Sequence, residues 1–588
     1  MLRSPFILIV GVVLTWFIAA FLVWPNANVL IETFFPDGRF SGRAAEKLFS
    51  SARAMKSLGN SFMLAVALSI TVNVVGIFIV LVTHYFRIRG ARILFLGYAT
   101  TFIYGGIVLA AGYKFIYGEK GIVTAILARM FPGMDTGWFS GFLAVLVVMT
   151  FATTTNHMLF VANAIKGVDY QTIEAAKNMG ASTWTILRRV VLPILKPTLF
   201  AVTILSFLTG LGALSAPQVL GGREFQTITP MILTFTNSPT SRDLAALLAV
   251  ILGVSTILML AVMTRLEKGG TYFSVSKVSS ELTKQRLTNP TANVLVHTAA
   301  YLLFVVYTLP VVLIVVYSFA DSAAIQTGHL TLESLTLENY VRVLTQPSGL
   351  RPFIISVVYS GLAAVITVGC LLFVARLLQK HRNWLTMLFE YLLHIPWILP
   401  SALLALGLII SYDHPNPMVG GAVLTGTTVI LLIAFVTVKI PFTLRMLKAS
   451  FTTVNTSLEE AAQIMGARTL YVFRRILLPI VLPTAAAIAA LNFNSMLDDY
   501  DTAIFLAHPL FQPLGLIIKA NTDGAEGVEG VSNTFVYTVL LMVITGLTMY
   551  LVYGRARRRR SGKTREIPAA SGVAGPLPSE VLVKADVD

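Results

Sequence analysis

Residues 174–197 read EAAKNMGASTWTILRRVVLPILKP, and residues 460–483 read EAAQIMGARTLYVFRRILLPIVLP. A shift of 286 positions overlays them with 13 identities in 24, so Glu174 falls on Glu460, Gly180 on Gly466 and Pro193 on Pro479. Two matching copies at so long a spacing signify a duplicated half, not a short structural repeat. Each copy has one design. A polar helix begins at Glu-Ala-Ala, a Gly-Ala turn interrupts it, an amphipathic helix with an Arg-Arg pair follows, and a Leu-Pro opens a long apolar run. Gly180 and Gly466 suit helix C-caps, where a left-handed residue costs glycine little. The expectation is a pair of short helices lying on a membrane surface and joined to the next span.

The rest of the composition agrees. The 588 residues are 56% hydrophobic and 12% charged, with a mean hydropathy of +0.77, whereas a soluble domain carries roughly 25% charged residues. Repeated apolar runs of about 20 residues make this a polytopic membrane protein. A net charge of +16 could suggest nucleic acid, but most basic residues flank apolar spans. Arg555, Arg557, Arg558, Arg559, Arg560 and Lys563 crowd the tail. This is the positive-inside signature, and no nucleic-acid partner is expected. The single cysteine, Cys370, lies in an apolar run and cannot form an internal disulfide.

The fold class expected is all-α, with about twelve membrane helices in two homologous six-helix halves. Spans fall near 5–25, 60–84, 93–116, 138–161, 197–219 and 244–265, and again near 294–319, 353–376, 385–411, 421–442, 484–506 and 533–554. The first run lacks a small-residue cleavage site before Trp24-Pro25 and reads as an uncleaved span. The halves are 1–265 and 293–555, joined by a polar linker at 266–292 and followed by a basic, disordered tail at 556–588. Arg87, Arg89 and Arg92 mark one short loop as cytoplasmic, and Arg376, Lys380 and Arg382 mark its counterpart. Both termini then lie inside. The segment 26–58, with Arg39, Arg43, Lys47, Arg53 and Lys56, is unusually basic for the external loop this requires.

The duplicated pattern resembles the EAA loop of the membrane subunits of bacterial ABC importers. That resemblance covers nearly the whole chain, and it implies a multi-pass protein of the bacterial cytoplasmic (inner) membrane. It makes 166–193 and 448–479 the coupling loops, with coupling helices at 171–191 and 457–477 that dock into two copies of an ATP-binding subunit. Glu174, Ala175, Ala176 and Gly180 would carry the first contact, and Glu460, Ala461, Ala462 and Gly466 the second. An external, periplasmic binding protein would deliver the solute, and the pathway between the halves would open to one side at a time. The fusion of both halves, with LGGREFQTITPMILTF at 220–235 and DDYDTAIFLAHPLFQPLG at 498–515, is similar to the ferric-iron importer group. Permeases for thiamine, phosphonates and polyamines share the skeleton.

No catalytic or metal site is expected in this chain. The only Gly-Lys-Thr is Gly562-Lys563-Thr564, and Arg557 stands where a phosphate-binding loop needs glycine. No His-Glu-x-x-His, paired-Cys or Gly-x-Ser-x-Gly pattern occurs. The chain therefore binds no cofactor, and ATP is used by the partner.

Asn494, Asp498, Asp499 and Asp501 are the pathway candidates. At about 1.5 Å per residue, Asp498 lies about 20 Å from the cytoplasmic end of a hydrocarbon core about 30 Å thick. Charge at that depth usually faces a water-filled path. The acids either line the external mouth of the pathway, favouring a cation or polar solute, or stand in an external loop after a shorter span. Asn156, His157 and His394 are weaker candidates, a lone intramembrane His being more often a hydrogen-bonded packing residue than a metal ligand, and Pro396 and Pro400 are expected to kink a helix rather than bind anything. The rival class is an ion-gradient-driven secondary transporter, against which the large amphipathic loops argue.

Overall fold

Hydrocarbon offers backbone groups no hydrogen-bond partners, so long apolar runs can cross a membrane only as helices or closed barrels. This computed structural model describes residues 5–268, 283–328, 330–381 and 383–551. Those residues are helical, with no strand beyond three isolated bridges. Among the described residues, ten helices are long and apolar enough to cross a membrane, and up to twelve spans result when each of two bent pairs is counted as one. The tail expected at 556–588 and linker residues 269–282 lie outside the described residues.

The bent pairs correct the third and ninth expected spans. Ala91–Phe102 and Gly106–Met130 meet at 111°, and Trp384–Ile398 and Ser401–Tyr412 at 107°. In the first, Gly105 is extended and Gly106 takes φ +53°, which breaks the helical ladder. In the second, Pro400 has no N–H to donate and forces Leu399 into the extended region at φ −92°, ψ 139°. A continuous apolar run therefore hides a break that backbone chemistry imposes.

The amphipathic helix of each Glu-Ala-Ala segment is also not a separate surface helix. It runs on into the span as Thr183–Leu211 and Thr469–Leu497, through a π-helical turn at Leu187–Val191 or Phe473–Leu477. Pro193 and Pro479 follow directly on that π turn inside the continuous helix, where a residue without an N–H interrupts the regular ladder. Arg376 and Lys380, expected in a loop, belong to the last turns of the Pro347–Lys380 helix. The expected span 484–506 ends at Leu497, with Asp498 as its C-cap, so the acids follow the helix.

The two halves are interlocked by their first spans. Leu14, Ile18 and Leu22 pack into a cluster with Leu371, Leu378 and Leu444 of the second half, and Trp16 donates to the Met418 carbonyl at 2.8 Å. Reciprocally, Tyr307 of the Pro290–Tyr317 helix is buried against the first half, its hydroxyl 2.7 Å from that of Thr154. Tyr98 donates to the Ala300 carbonyl at 2.7 Å. Lys47, one of the basic residues that sat awkwardly in segment 26–58, is neutralised by Asp243 at 2.7 Å.

Candidate coupling turns and translocation pathway

The two Glu-Ala-Ala helices, Tyr170–Asn178 and Thr456–Ile464, are built alike. Asp169 caps the first by accepting from Gln171 N–H at 3.1 Å, and Asn455 caps the second by accepting from Ser457 N–H at 3.0 Å. Both end in a Schellman turn. Gly180 and Gly466 take φ +83°; their N–H groups donate to Lys177 and Gln463, and those of Ala181 and Ala467 to Ala176 and Ala462 at 3.0 Å. Glu174, Ala175, Gly180, Glu460, Ala461 and Gly466 are exposed, whereas Ala176 and Ala462 are buried against the membrane domain. The alanines at the third position thus seat each helix, and the glutamates look outward.

Sequence reasoning passed over what surrounds the glycines. Met179 and Met465 are each 81% exposed, and Trp184 and Tyr471 stand on the same loops, also exposed. Large apolar side chains clustered on a polar helical turn mark an interaction surface. The signal was in the repeat itself, where Met precedes Gly in both copies. Glu459 was missed as well, because its neighbour Glu460 carries the motif; it is buried.

The pathway candidates come together between the halves. Ser215 Oγ donates to the carboxylate of Asp501, and these residues are 286 positions apart, the repeat shift itself. A residue touching its own duplicate lies on the pseudo-twofold axis relating the halves. Two cavities, of about 330 and 430 Å³, flank that contact and share Gly106, Ser215 and Asp501. The first is lined by the 491–501 region against the Gly105–Gly106 break, and the second by 205–216 against the break at Leu399-Pro400. They are the same construction seen from opposite halves.

Asp501 lines both, but the first is the more acidic. Asp498, Asp499 and Asp501 line the first cavity, while the matching stretch of the second offers Gly212, Ala213 and Ser215. The three acids differ in role. Asp499 accepts from the Thr502 and Ala503 N–H groups at 2.9 and 3.3 Å and so starts a short helix. Asp501 holds the axis contact, and Asp498 faces the Gly106 break, its Oδ2 4.0 Å from where a Cβ on that glycine would stand. Lys439 interacts electrostatically with Asp498 and Asp499, leaving the carboxylates in excess. Asn494 lines the same cavity, and its amide makes no hydrogen bond among the described residues. Among the described residues, no group of three His, Cys, Asp or Glu side chains converges to hold a metal ion.

The sequence profile of binding-protein-dependent transport system inner membrane components matches residues 38–269 and 366–561. The chain belongs to that family. This permease is 38% identical over 558 residues, 94% of the chain and 96% of the relative, to the "Probable ABC transporter permease protein y4fN" of Sinorhizobium fredii. It is 23% identical over 535 residues, 89% of the chain and 75% of the relative, to the ferric transport system permease protein FbpB of Actinobacillus pleuropneumoniae. A sulfate transport system permease protein, CysT of Salmonella typhimurium, is 26% identical over 38% of the chain and 85% of its own length. It is thus an ABC importer permease with two fused family repeats, and the secondary-transporter alternative falls away.

Two histidines of the permease spans make local contacts. His157 is fully buried, with Nε2 3.2 Å from Asn73 Oδ1. Its ring fills the space left by Gly76, where a Cβ would come within 2.4 Å of it. His394 Nδ1 lies 2.6 Å from the Glu390 carbonyl oxygen. Pro400 does bend its helix, as expected.

Proposed function

We propose that this chain forms the translocation pathway of an ATP-driven importer for a cationic solute, ferric iron in the first instance. Two copies of an ATPase subunit dock on the cytoplasmic turns at Glu174–Gly180 and Glu460–Gly466, and an external binding protein delivers the cargo to the opposite face. ATP hydrolysis takes place on the partner. The observation that carries this reading is the contact of Ser215 with its duplicate Asp501 on the axis between the halves, beside a cavity lined by three carboxylates. A pathway must attract its cargo yet release it, so unconverged carboxylates suit a passing cation better than a chelating set would. Carboxylates in excess disfavour sulfate or a phosphonate, which leaves thiamine and polyamines as the competing cations. The similarity to ferric permeases supports iron among them.

The test is ATP-dependent uptake of radioactive ferric iron into proteoliposomes holding the permease, its ATPase and its binding protein. Replacing Asp498 and Asp501 with Asn keeps hydrogen-bond acceptors in place and removes charge; iron uptake should fall at least about tenfold. Unchanged uptake refutes the pathway role, and uptake of thiamine or spermidine in place of iron reassigns the cargo. In the same preparation, Glu174→Ala with Glu460→Ala should weaken co-purification of the ATPase.

A further inference from the structure

The two coupling helices are fastened to the membrane domain by different chemistry. The first uses Ile173, fully buried in an apolar cluster with Tyr85, Ile165 and Leu187. At the corresponding position the second has Glu459, whose side chain is 7% exposed. Its carboxylate accepts from Arg376 Nη2 and, at 2.5 Å, from Lys380 Nζ. The Arg376 guanidinium also sits 6.0 Å from the centroid of the Phe451 ring. An apolar contact is non-directional and tolerates sliding, whereas a buried carboxylate held by two cations fixes both position and orientation.

Arg376 and Lys380 end a helix whose far end is joined to the segment packed against the acidic turn. Pro347–Lys380 has 34 residues, about 50 Å at 1.5 Å per residue. It packs along the Thr428–Thr452 and Leu478–Leu497 helices. Towards its other end, Ser356 Oγ accepts from the Leu514 N–H at 2.7 Å. The next residue, Gly515, lies against the acidic turn; a Cβ there would stand 3.0 and 3.1 Å from the carbonyl oxygens of Asp499 and Asp498. The first half has the outer joint, Ser61 accepting from Ile228 N–H at 2.7 Å, but it lacks the ionic one.

We infer that Glu459 is a positioning residue that locks the second coupling helix to the Pro347–Lys380 helix, so that ATPase movement reaches the turn bearing Asp498 and Asp499. The first coupling helix, seated on Ile173, transmits through a compliant contact. The inference rests on the coupling reading of the Glu-Ala-Ala turns. Its test reads movement at the turn directly and needs no knowledge of the solute. Ser495 is exposed and lines the acidic cavity, so a Cys370→Ala, Ser495→Cys chain can be labelled there with a water-soluble maleimide. In the complex with its ATPase, trapping with ATP and vanadate should change the labelling rate by about 5- to 150-fold, the usual range of coupling between sites.

Glu459→Gln should retain the ATPase and its melting temperature within a few degrees, yet lose most of that ATP-dependent change. Ile173→Ala should keep it. Reversing the joint, with Glu459→Arg, Arg376→Glu and Lys380→Gln together, should restore it, which a role in folding alone does not predict. The inference is overturned if Glu459→Gln responds to ATP as wild type does, or if the reversed triple responds no better than Glu459→Arg alone. A wild-type chain that retains no ATPase overturns the coupling reading first, and this inference with it.

Discussion

The glycines that end the two Glu-Ala-Ala helices allow the sharpest test of those turns. At Gly180 and Gly466 the backbone sits at φ +83°, and a Cβ built on either would meet nothing within 4 Å. Substitution there carries no steric penalty from neighbours, so any cost is conformational. For an L-residue other than Gly or Asn, the left-handed region costs about 1–2 kcal/mol. Relaxing the turn instead forfeits the two Schellman hydrogen bonds and re-aims the exposed Met179 or Met465. If ATPase binding requires the observed turn, Gly180→Ala or Gly466→Ala should raise the Kd of the ATPase subunit by about 5- to 30-fold, the equivalent of that strain. The assay is titration of labelled ATPase subunit against detergent-solubilised permease. Asparagine visits the left-handed region far more readily, so Gly180→Asn should lose much less affinity than Gly180→Ala. Equal losses for Ala and Asn would show that the partner rejects side-chain bulk and would refute the conformational argument. No loss for either would remove the turn from the docking surface.

Three further outcomes follow from packing and charge. Gly210 lies against the Ala65 backbone, where an added Cβ would come within 2.7 Å of Cα; Gly210→Ala should cost about 1–3 kcal/mol as an overpacked contact, visible as a lowered melting temperature. Burial pushes the Glu459 carboxyl up, but its bonds to Lys380 and Arg376 outweigh this and hold it below the usual carboxylate range. A lowered folded-state value stabilises above the unfolded pKa of about 4.3 and is lost as pH falls through the lowered one. The stability difference between wild type and Glu459→Gln should accordingly stay flat from about pH 8 to pH 5 and shrink only below that; a decline starting near pH 7 contradicts the ion-pair assignment. Lys47→Ala should change stability by no more than about 1 kcal/mol, because the Lys47–Asp243 pair is partly exposed.

Much of this architecture is legible in the sequence for a physical reason. A span must be apolar for about 20 residues, and the turn that ends each Glu-Ala-Ala helix favours a glycine where the chain goes left-handed, so both leave direct marks. What escaped was whatever depends on two distant segments meeting. The break at Gly105–Gly106 is written as two glycines in an apolar run, a pattern equally at home in a straight membrane helix. Glu459 reads as a duplicate of Glu460 until the helix is placed beside Arg376 and Lys380. Counting residues along the span points to Asp498, but its cavity is formed only with the opposite half. The repeat shift of 286 is fixed by the two Glu-Ala-Ala copies, yet a shift alone does not say which pair of duplicates touches.

That contact has a consequence for how the halves could have diverged. In a symmetric pair of identical halves, the residue on the axis meets an identical side chain, and two aspartates there would set like charges against each other. A fused chain can place Ser215 on one side and Asp501 on the other, turning repulsion into a charge-assisted hydrogen bond. Ser215→Asp recreates the symmetric case. Two carboxylates about 4 Å apart at an effective dielectric of about 20 repel by about 4 kcal/mol. The halves must then separate or share a proton, so the stability of the variant should recover on acidification as one carboxyl takes that proton. The decisive variant is the exchange, Ser215→Asp with Asp501→Ser, which carries the same two side chains on opposite halves. On a true axis the exchange should regain most of the melting temperature lost by Ser215→Asp alone, while transport need not return, since the carboxylate then stands on the first half and no longer on the turn that carries Asp498 and Asp499. An exchanged chain as unstable as the single variant would mean that Ser215 and Asp501 do not face each other across the axis, and the pathway would have to be sought elsewhere between the halves.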